Sequence, residues 1–189
     1  ISKGLIEDIS NQFFNLKLVL LPDSARLAEP LTLDLKLKSP SITYVGSDNI
    51  GKGVLSVIEI AQLMPECFFY LVGPKPTDFI PNNVFFLGFA SKPEISFYLQ
   101  NTDVLIAPYE NIVYDNAGNN ITTYMSPLKI FEYMASRTPF IVSKMEFVEE
   151  FLEEDAHCLM ATPENYKEWA EKISLLLSSK EIQISLATR

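Results

Sequence analysis

From Ser41 onward the chain alternates two kinds of segment at short, regular intervals. The runs "SITYVG", "CFFYLVG", "NNVFFLGF", "DVLIAPY", "PFIVS" and "HCLMA" are apolar almost end to end, so as strands they need cover on both sides. Most are separated by stretches with helical spacing: "GVLSVIEIAQLM", "KPEISFYLQ" with Pro93 in its first turn, "SPLKIFEYMAS", a short acidic helix from Phe147 to Leu152, and "PENYKEWAEKISLLLSS". In the last of these Trp169, Ile173 and Leu176 share a face. Buried strands joined through helices predict an α/β, Rossmann-like doubly wound fold, a parallel sheet with helices on both faces. Ligands of such sheets bind beyond the carboxyl ends of the strands, where loops enter helices.

The leading stretch differs. "ISKGLIEDISNQFF" places Ile6, Ile9 and Phe13 on one helical face, "LKLVLLPDS" reads as a short strand, and "ARLAEPLTLDLKLKSPS" as a connector. The expected division is a tail of a preceding domain or a packed extension over 1–23, a linker over 24–40, the Rossmann-like domain over 41–178, and a C-terminal helix over 179–189. Because the chain starts with Ile1 rather than Met, it is expected to be a piece of a longer polypeptide.

Charge and cysteine content narrow the function classes. A net charge of -9 argues against sequence-independent binding to nucleic acid, while leaving room for a local basic pocket. Cys67 and Cys158 lack metal-ligand spacing and lie in apolar, strand-like runs, so they read as core thiols in a reducing compartment, and no metal site is expected. The apolar runs are far shorter than a membrane span. Without a secretory signal, the Asn-x-Thr match at Asn120 carries no expectation of glycosylation.

Two segments could carry chemistry. "GSDNIGKG", Gly46 to Gly53, ends the first strand and nearly spells a P-loop, but Gly53 stands where a magnesium-binding Ser or Thr is needed. Asp103 precedes its strand rather than ending it, which also argues against an ATPase or GTPase. Glycines that admit a close backbone approach, with Lys52 beside a helix start, still suit a small anion.

In "SPLKIFEYMASRTPFIV", Ser126 is the expected N-cap and Pro127 the first helical residue. At about 100° per residue, Leu128, Ile130, Phe131, Met134 and Ala135 form a broad apolar face, while Lys129, Glu132 and Ser136 share the other. Lys129 and Glu132 could be a solvated i,i+3 ion pair. They could instead hold a ligand, since the helix follows the long polar loop "ENIVYDNAGNNITTYM". Lys129 beside free helix N-H groups suits a diphosphate, and Glu132 could accept hydrogen bonds from a sugar hydroxyl pair.

In order, these pieces resemble the donor-binding domain of retaining glycosyltransferases of family 4, which have the GT-B architecture of two facing Rossmann-like domains. "SPLKIFEYMASRTPFIVS" resembles their donor-binding segment, "YVGSDNIGKG" their first-strand loop, and "VFFLGFAS" the strand whose following loop touches the base. "FYLVG", "TDVLIAPY" and "EEFLEEDAHCLMATPENYKEWAEKI" resemble the strands and ending around them, so the likeness covers about 41 to 178. By this resemblance Gly46, Ser47 and Lys52 line the phosphate loop. Lys52 and Lys129 would neutralise a nucleotide-sugar diphosphate of UDP or GDP type, with backbone donors from the Ser126 and Leu128 region, where Pro127 also lines the donor site. Glu132 would bind the ribose, Phe89 and Ala90 would approach the base through backbone atoms, and Tyr124 would lie at the sugar.

The implied reaction is hexosyl transfer with retention and no required metal or cofactor, to a glycan or lipid-linked acceptor held by a second, N-terminal domain. Lys52, Lys129 and Glu132 would be the residues that carry it. The resemblance further implies polysaccharide or cell-surface glycan synthesis by a cytoplasmic protein, with peripheral attachment at the inner membrane face left open. The isolated piece is expected to be inactive. Two positions depart from the family pattern. Ser47 replaces an Arg phosphate clamp, and Tyr124 replaces the leading Glu of the E-x7-E pattern, although some relatives with "SPLK" also carry Tyr there. Asp115 or Asn120 could contact the sugar instead. His157 lies in a predicted strand and reads as structural rather than as a base. A nucleotide-sugar epimerase and a non-catalytic nucleotide-binding or scaffold module stay open as alternatives.

Overall fold

A computed structural model of the protein describes residues 3–13, 15–19, 21, 23–26, 29, 34 and 36–187. The elements run α1 (Lys3–Gln12), β1 (Ser41–Val45), α2 (Val54–Leu63), β2 (Phe68–Val72), β3 (Val84–Gly88), α3 (Lys92–Gln100) and β4 (Val104–Ala107). They continue with α4 (Leu128–Ser136), β5 (Phe140–Ser143), α5 (Glu146–Glu149), β6 (Leu159–Ala161), α6 (Tyr166–Ser178) and α7 (Lys180–Ala187).

The six strands form one sheet in the order β3-β2-β1-β4-β5-β6, with every pairing parallel. The end-to-end apolar strands are satisfied by cover on both faces. Tyr70, Leu105, Ile130 and Tyr133 belong to the core on the side of α3 and α4, and Ile42, Leu71, Trp169 and Ile173 to the core on the side of α2 and α6. The strand order reverses between β1 and β4, and at such a switch point the loops leaving two neighbouring strands diverge and open a crevice.

Local chemistry explains the element ends. Ser91 and Glu94 form a reciprocal capping box at the start of α3, with Pro93 in the first turn. Asn83 sends its side-chain amide to the carbonyls of Ala61, Met64 and Cys67, each at 3.0 Å, which ties the end of α2 and the approach to β2 onto the base of β3. Trp169, Ile173 and Leu176 are fully buried, as their spacing predicts, and the Trp169 indole N-H donates to the Thr162 carbonyl at 3.1 Å.

Several sequence expectations change. α1 forms, but Ile6 and Ile9 are only half-buried and Phe13 is exposed; the helix rests on the loop after β4 through Gly4, whose backbone meets the Thr123 carbonyl. The strand expected over 16–24 includes Leu20 and Pro22, which lie outside the described residues, and its described residues form no strand. Of the 24–40 connector, 27, 28, 30–33 and 35 lie outside the described residues, as do 188 and 189 of the C-terminal helix. The short acidic helix closes at Glu149 rather than Leu152. His157 sits in a turn before β6, not in a strand, where its Nδ1 accepts the Glu153 N-H at 3.0 Å. Cys67 and Cys158 flank strands as buried free thiols; burial pushes them up to about 11 and about 12, out of the reactive range. No helix among the described residues is long and apolar enough to cross a membrane.

Candidate functional site

The two loops that leave β1 and β4 are stitched together at the crevice. The Gly51 carbonyl accepts the Glu110 N-H and the Ile50 carbonyl accepts the Tyr114 N-H, both at 3.0 Å. The stitching demands glycine: Gly53, which caps α2 with a φ of 99°, backs onto the Pro108 carbonyl and has no room for a side chain.

Into this junction the start of α4 delivers Lys129. Its Nζ is buried and has no hydrogen-bond partner among the described residues. It lies 4.1 Å from the centre of the Tyr44 ring and 4.8 Å from that of Tyr109, close enough for attraction by both ring faces. Gly46 roofs the seat: a Cβ there would stand 2.8 Å from Lys129 Nζ and 2.7 Å from Tyr44 Oη. Tyr44 also braces the loop by donating from Oη to the Ser47 carbonyl at 2.8 Å. Lys52 approaches from the glycine loop, its Nζ 3.0 Å from the Met125 sulfur and 5.8 Å from the Tyr109 ring centre.

These positions shift the titration of both lysines. Burial, then the nearby positive charge of Lys52, hold Lys129 well below the usual lysine range, and Glu132 offsets this only in part. Burial also lowers Lys52. Glu132 is raised by burial, against the pull of Lys92 and Lys129. Two lysine side chains that converge with no carboxylate in contact among the described residues make a place suited to an anion.

The orientation of α4 corrects the sequence reading. Leu128, assigned to the buried face, is 56 % exposed, and Met134 and Ala135 are exposed too. Ile130 and Tyr133 are buried, and Lys129 points inward beside them. Among the described residues Lys129 and Glu132 form no ion pair, which removes the surface salt-bridge reading. The helix begins at Leu128 with Pro127 at the cap position, one residue later than expected, so Pro127 is not its first residue. Ser126 does not cap it; its hydroxyl donates to the Asp23 carboxylate instead.

Lys52 and Lys129 therefore meet over the Tyr109 ring, with Gly46 against Lys129, the Ser47 carbonyl bonded to Tyr44 and the Ser47 side chain exposed. Glu132 lies one turn further along, half-buried, in a separate hollow of about 260 Å³ lined by Ser24, Arg26, Lys92, Ser96 and Leu128. Tyr124 is part of a larger cavity of about 740 Å³ between α1, the loop after β4 and α5, where Lys144 and Glu146 also face it. At the end of β3 the Phe89 side chain is 94 % exposed and Ala90 is buried.

The two candidate sugar contacts in the loop are engaged elsewhere. Asp115 accepts from the backbone N-H groups of Ala117 and Asn119 and from the Asn119 amide, and Asn120 accepts from Thr122. Sequence reasoning missed Tyr44, Tyr109 and Met125. Their runs read as strand and loop, and no linear spacing links Tyr44 on β1 to Tyr109 just past β4.

A family described as "Glycosyl transferases group 1" matches residues 39–179. The fold is shared by solved structures of low sequence identity. The C-terminal domain of the glycosyl transferase group 1 family protein LpcC from Francisella tularensis is 18 % identical with a TM-score of 0.62, covering 85 % of this chain and 90 % of that one. Sucrose-phosphate synthase from Thermosynechococcus elongatus is 17 % identical with a TM-score of 0.74, covering 100 % of this chain and 51 % of that one. Alr3699/HepE from Anabaena, in complex with UDP-glucose, is 18 % identical with a TM-score of 0.61, covering 79 % of this chain and 42 % of that one. Measured against the last two, the chain spans about half of the neighbour's length or less. No curated protein matches the chain.

Proposed function

Because the chain belongs to the Glycosyl transferases group 1 family, we propose that it is the donor-binding half of a retaining glycosyltransferase, moving a hexosyl group from a nucleoside diphosphate to a glycan or lipid-linked acceptor. The observation that carries this reading is the convergence of Lys52 and Lys129 over the Tyr109 ring at the reversal of the sheet, with Lys129 seated against Gly46 and neither lysine paired with a carboxylate among the described residues. A diphosphate supplies a counter-ion as ligand and, once the glycosidic bond breaks, as leaving group. Stabilising the charge that grows on the departing diphosphate is how such a site accelerates transfer, and no metal ion is required for it.

In this reading Lys129 and Lys52 meet the phosphates, and backbone N-H groups at the start of α4 add donors. Glu132 takes the ribose hydroxyls within the 260 Å³ hollow, whose position between α3 and α4 suits a nucleoside. Phe89 and Ala90 approach the base through their backbone. Tyr124, at the edge of the larger cavity, faces the sugar, and the acceptor is held by a second domain that also completes the active site. The complex of Alr3699/HepE with UDP-glucose favours a uridine donor. A place in polysaccharide or cell-surface glycan synthesis, as a cytoplasmic protein, belongs to the same reading.

Titration of the chain with UDP and GDP tests it. The expected result is saturable binding of one of them, lost or strongly weakened in Lys129→Ala. Absence of binding for both nucleotides, or binding indifferent to Lys129→Ala and Glu132→Ala, would overturn it. In the protein with its second domain, release of a changed free sugar without acceptor would point to an epimerase instead.

A further inference from the structure

Lys129 has a feature that phosphate binding alone does not call for. An ammonium here, buried with no hydrogen-bond partner among the described residues, would lose its water and receive nothing equivalent in return. Two tyrosine ring faces attract it, but that attraction is smaller than the desolvation of a full charge. Every element around it has been fitted to the seat. Tyr44 comes from β1, Tyr109 from the loop after β4, and Gly46 leaves the space into which Nζ projects.

The surrounding charges oppose a second ammonium. Lys52 reaches in from the glycine loop over the same Tyr109 ring. Glu132, on the same helix as Lys129, is the only carboxylate among the described residues that acts on Lys129, and its own burial favours the protonated form. Asp48 and Glu110 act on Tyr44 rather than on the lysine, and Tyr44, Tyr109 and Tyr133 are all driven by burial toward the neutral phenol. Burial and Lys52 accordingly set Lys129 well below the usual lysine range.

We propose that Tyr44 and Tyr109 are positioning residues that seat Lys129 against Gly46 as a neutral amine in the ligand-free chain, and that a nucleoside diphosphate binds there with uptake of one proton by Lys129. The proton comes from solvent and adds to the Nζ lone pair; no other bond forms or breaks. The diphosphate supplies the acceptor oxygens and the negative charge that the seat lacks, so the charged amine becomes stable only when the ligand is present. This rests on the nucleotide-binding reading above. It adds a proton linkage, and it gives roles to two residues that touch the lysine rather than the donor.

Calorimetric titration with UDP and GDP, in buffers of different ionisation enthalpy at a pH where free nucleotide is fully ionised, counts the protons taken up. The wild-type chain is expected to take up a sizeable fraction of one proton, and Lys129→Arg, whose guanidinium stays charged, clearly less. Tyr109→Leu is expected to weaken binding roughly tenfold and reduce the uptake, while Tyr109→Phe, which keeps the ring face, stays within about twofold of wild type. Since Arg could disturb the seat, carbon-13 NMR of the lysine ε-carbons in the unmodified, ligand-free chain gives a second readout: one lysine should titrate well below the others.

If binding occurs with equal proton counts in wild type and Lys129→Arg, or if all lysines titrate together, the linkage is wrong and the nucleotide site stands. If Tyr109→Phe and Tyr109→Leu weaken binding equally, the positioning role is wrong. If neither nucleotide binds, the reading of the site fails, and the linkage fails with it.

Discussion

Gly46 and Lys129 occupy one space: a Cβ on Gly46 would stand 2.8 Å from Lys129 Nζ, closer than non-bonded atoms settle. The glycine directly follows β1, and the lysine is the second residue of α4. The order β2-β1-β4-β5 brings them together, because it sets the loop after β1 against the loop that leads from β4 into α4.

Gly46→Ala is therefore expected to disturb the seat itself. It would displace Lys129 Nζ, the end of a flexible side chain, and also Oη and Cζ of the fully buried Tyr44 ring, which would stand 2.7 and 3.0 Å from the new Cβ. The melting temperature should fall, and affinity for UDP or GDP should drop by about tenfold or more in the chain that is still folded, an amount equivalent to about 1.4 kcal/mol. Unchanged affinity would show that the lysine does not meet the ligand from this seat.

Lys129→Ala and Glu132→Ala should fail differently. Losing the amine removes a phosphate contact, so binding of the diphosphate weakens while binding of the bare nucleoside does not. Losing the carboxylate removes a ribose contact, so both weaken by a similar factor. Competition titrations with uridine and UDP, or guanosine and GDP, distinguish the two patterns.

Lys129→Met should stabilise the ligand-free chain. It keeps the length of the side chain and removes a buried donor with no partner, a change worth about 1 to 3 kcal/mol. Thermal or denaturant unfolding measures the gain, which must coincide with loss of diphosphate binding.

The same residue gives the stability a pH dependence. Because Lys129 is held well below its ordinary value, the unfolded chain binds more protons than the folded one between the folded value and about 10.4. Stability should rise with pH through that window and fall as pH drops toward the folded value. Lys52, also lowered by burial, acts in the same direction. Comparing wild type with Lys129→Met between about pH 7 and 8.5 isolates the lysine, because the variant should show the shallower rise.

Trp169→Ala tests the fold apart from the site. The indole is buried on the side of α2 and α6 and also anchors the start of α6 to the Thr162 carbonyl. Its loss should cost about 3 to 5 kcal/mol. Chemical denaturation gives the value, and any loss of nucleotide binding should follow unfolding alone.

Hydrophobic period by itself determined the alternation of buried strands and helices, and with it the parallel, doubly wound sheet. The inward placement of Trp169, Ile173 and Leu176 was legible for the same reason: water exclusion acts on each side chain according to its own chemistry, whatever lies far away in the chain. The glycine-lysine loop and the Lys129–Glu132 pair were visible as candidates too. Only the tertiary structure decided which way α4 faces. Sorting by hydrophobicity turned Leu128 and Met134 inward and Lys129 outward, whereas the helix start meets the crevice at the strand ends, where the neighbours are loop backbone, two tyrosine rings and a second lysine. The seat is assembled from β1, the loop after β4, and α4, and these become neighbours only through the strand order. A rule that reads neighbours along the chain has no access to that adjacency, and a site that needs a buried positive charge runs against the pattern that a core obeys.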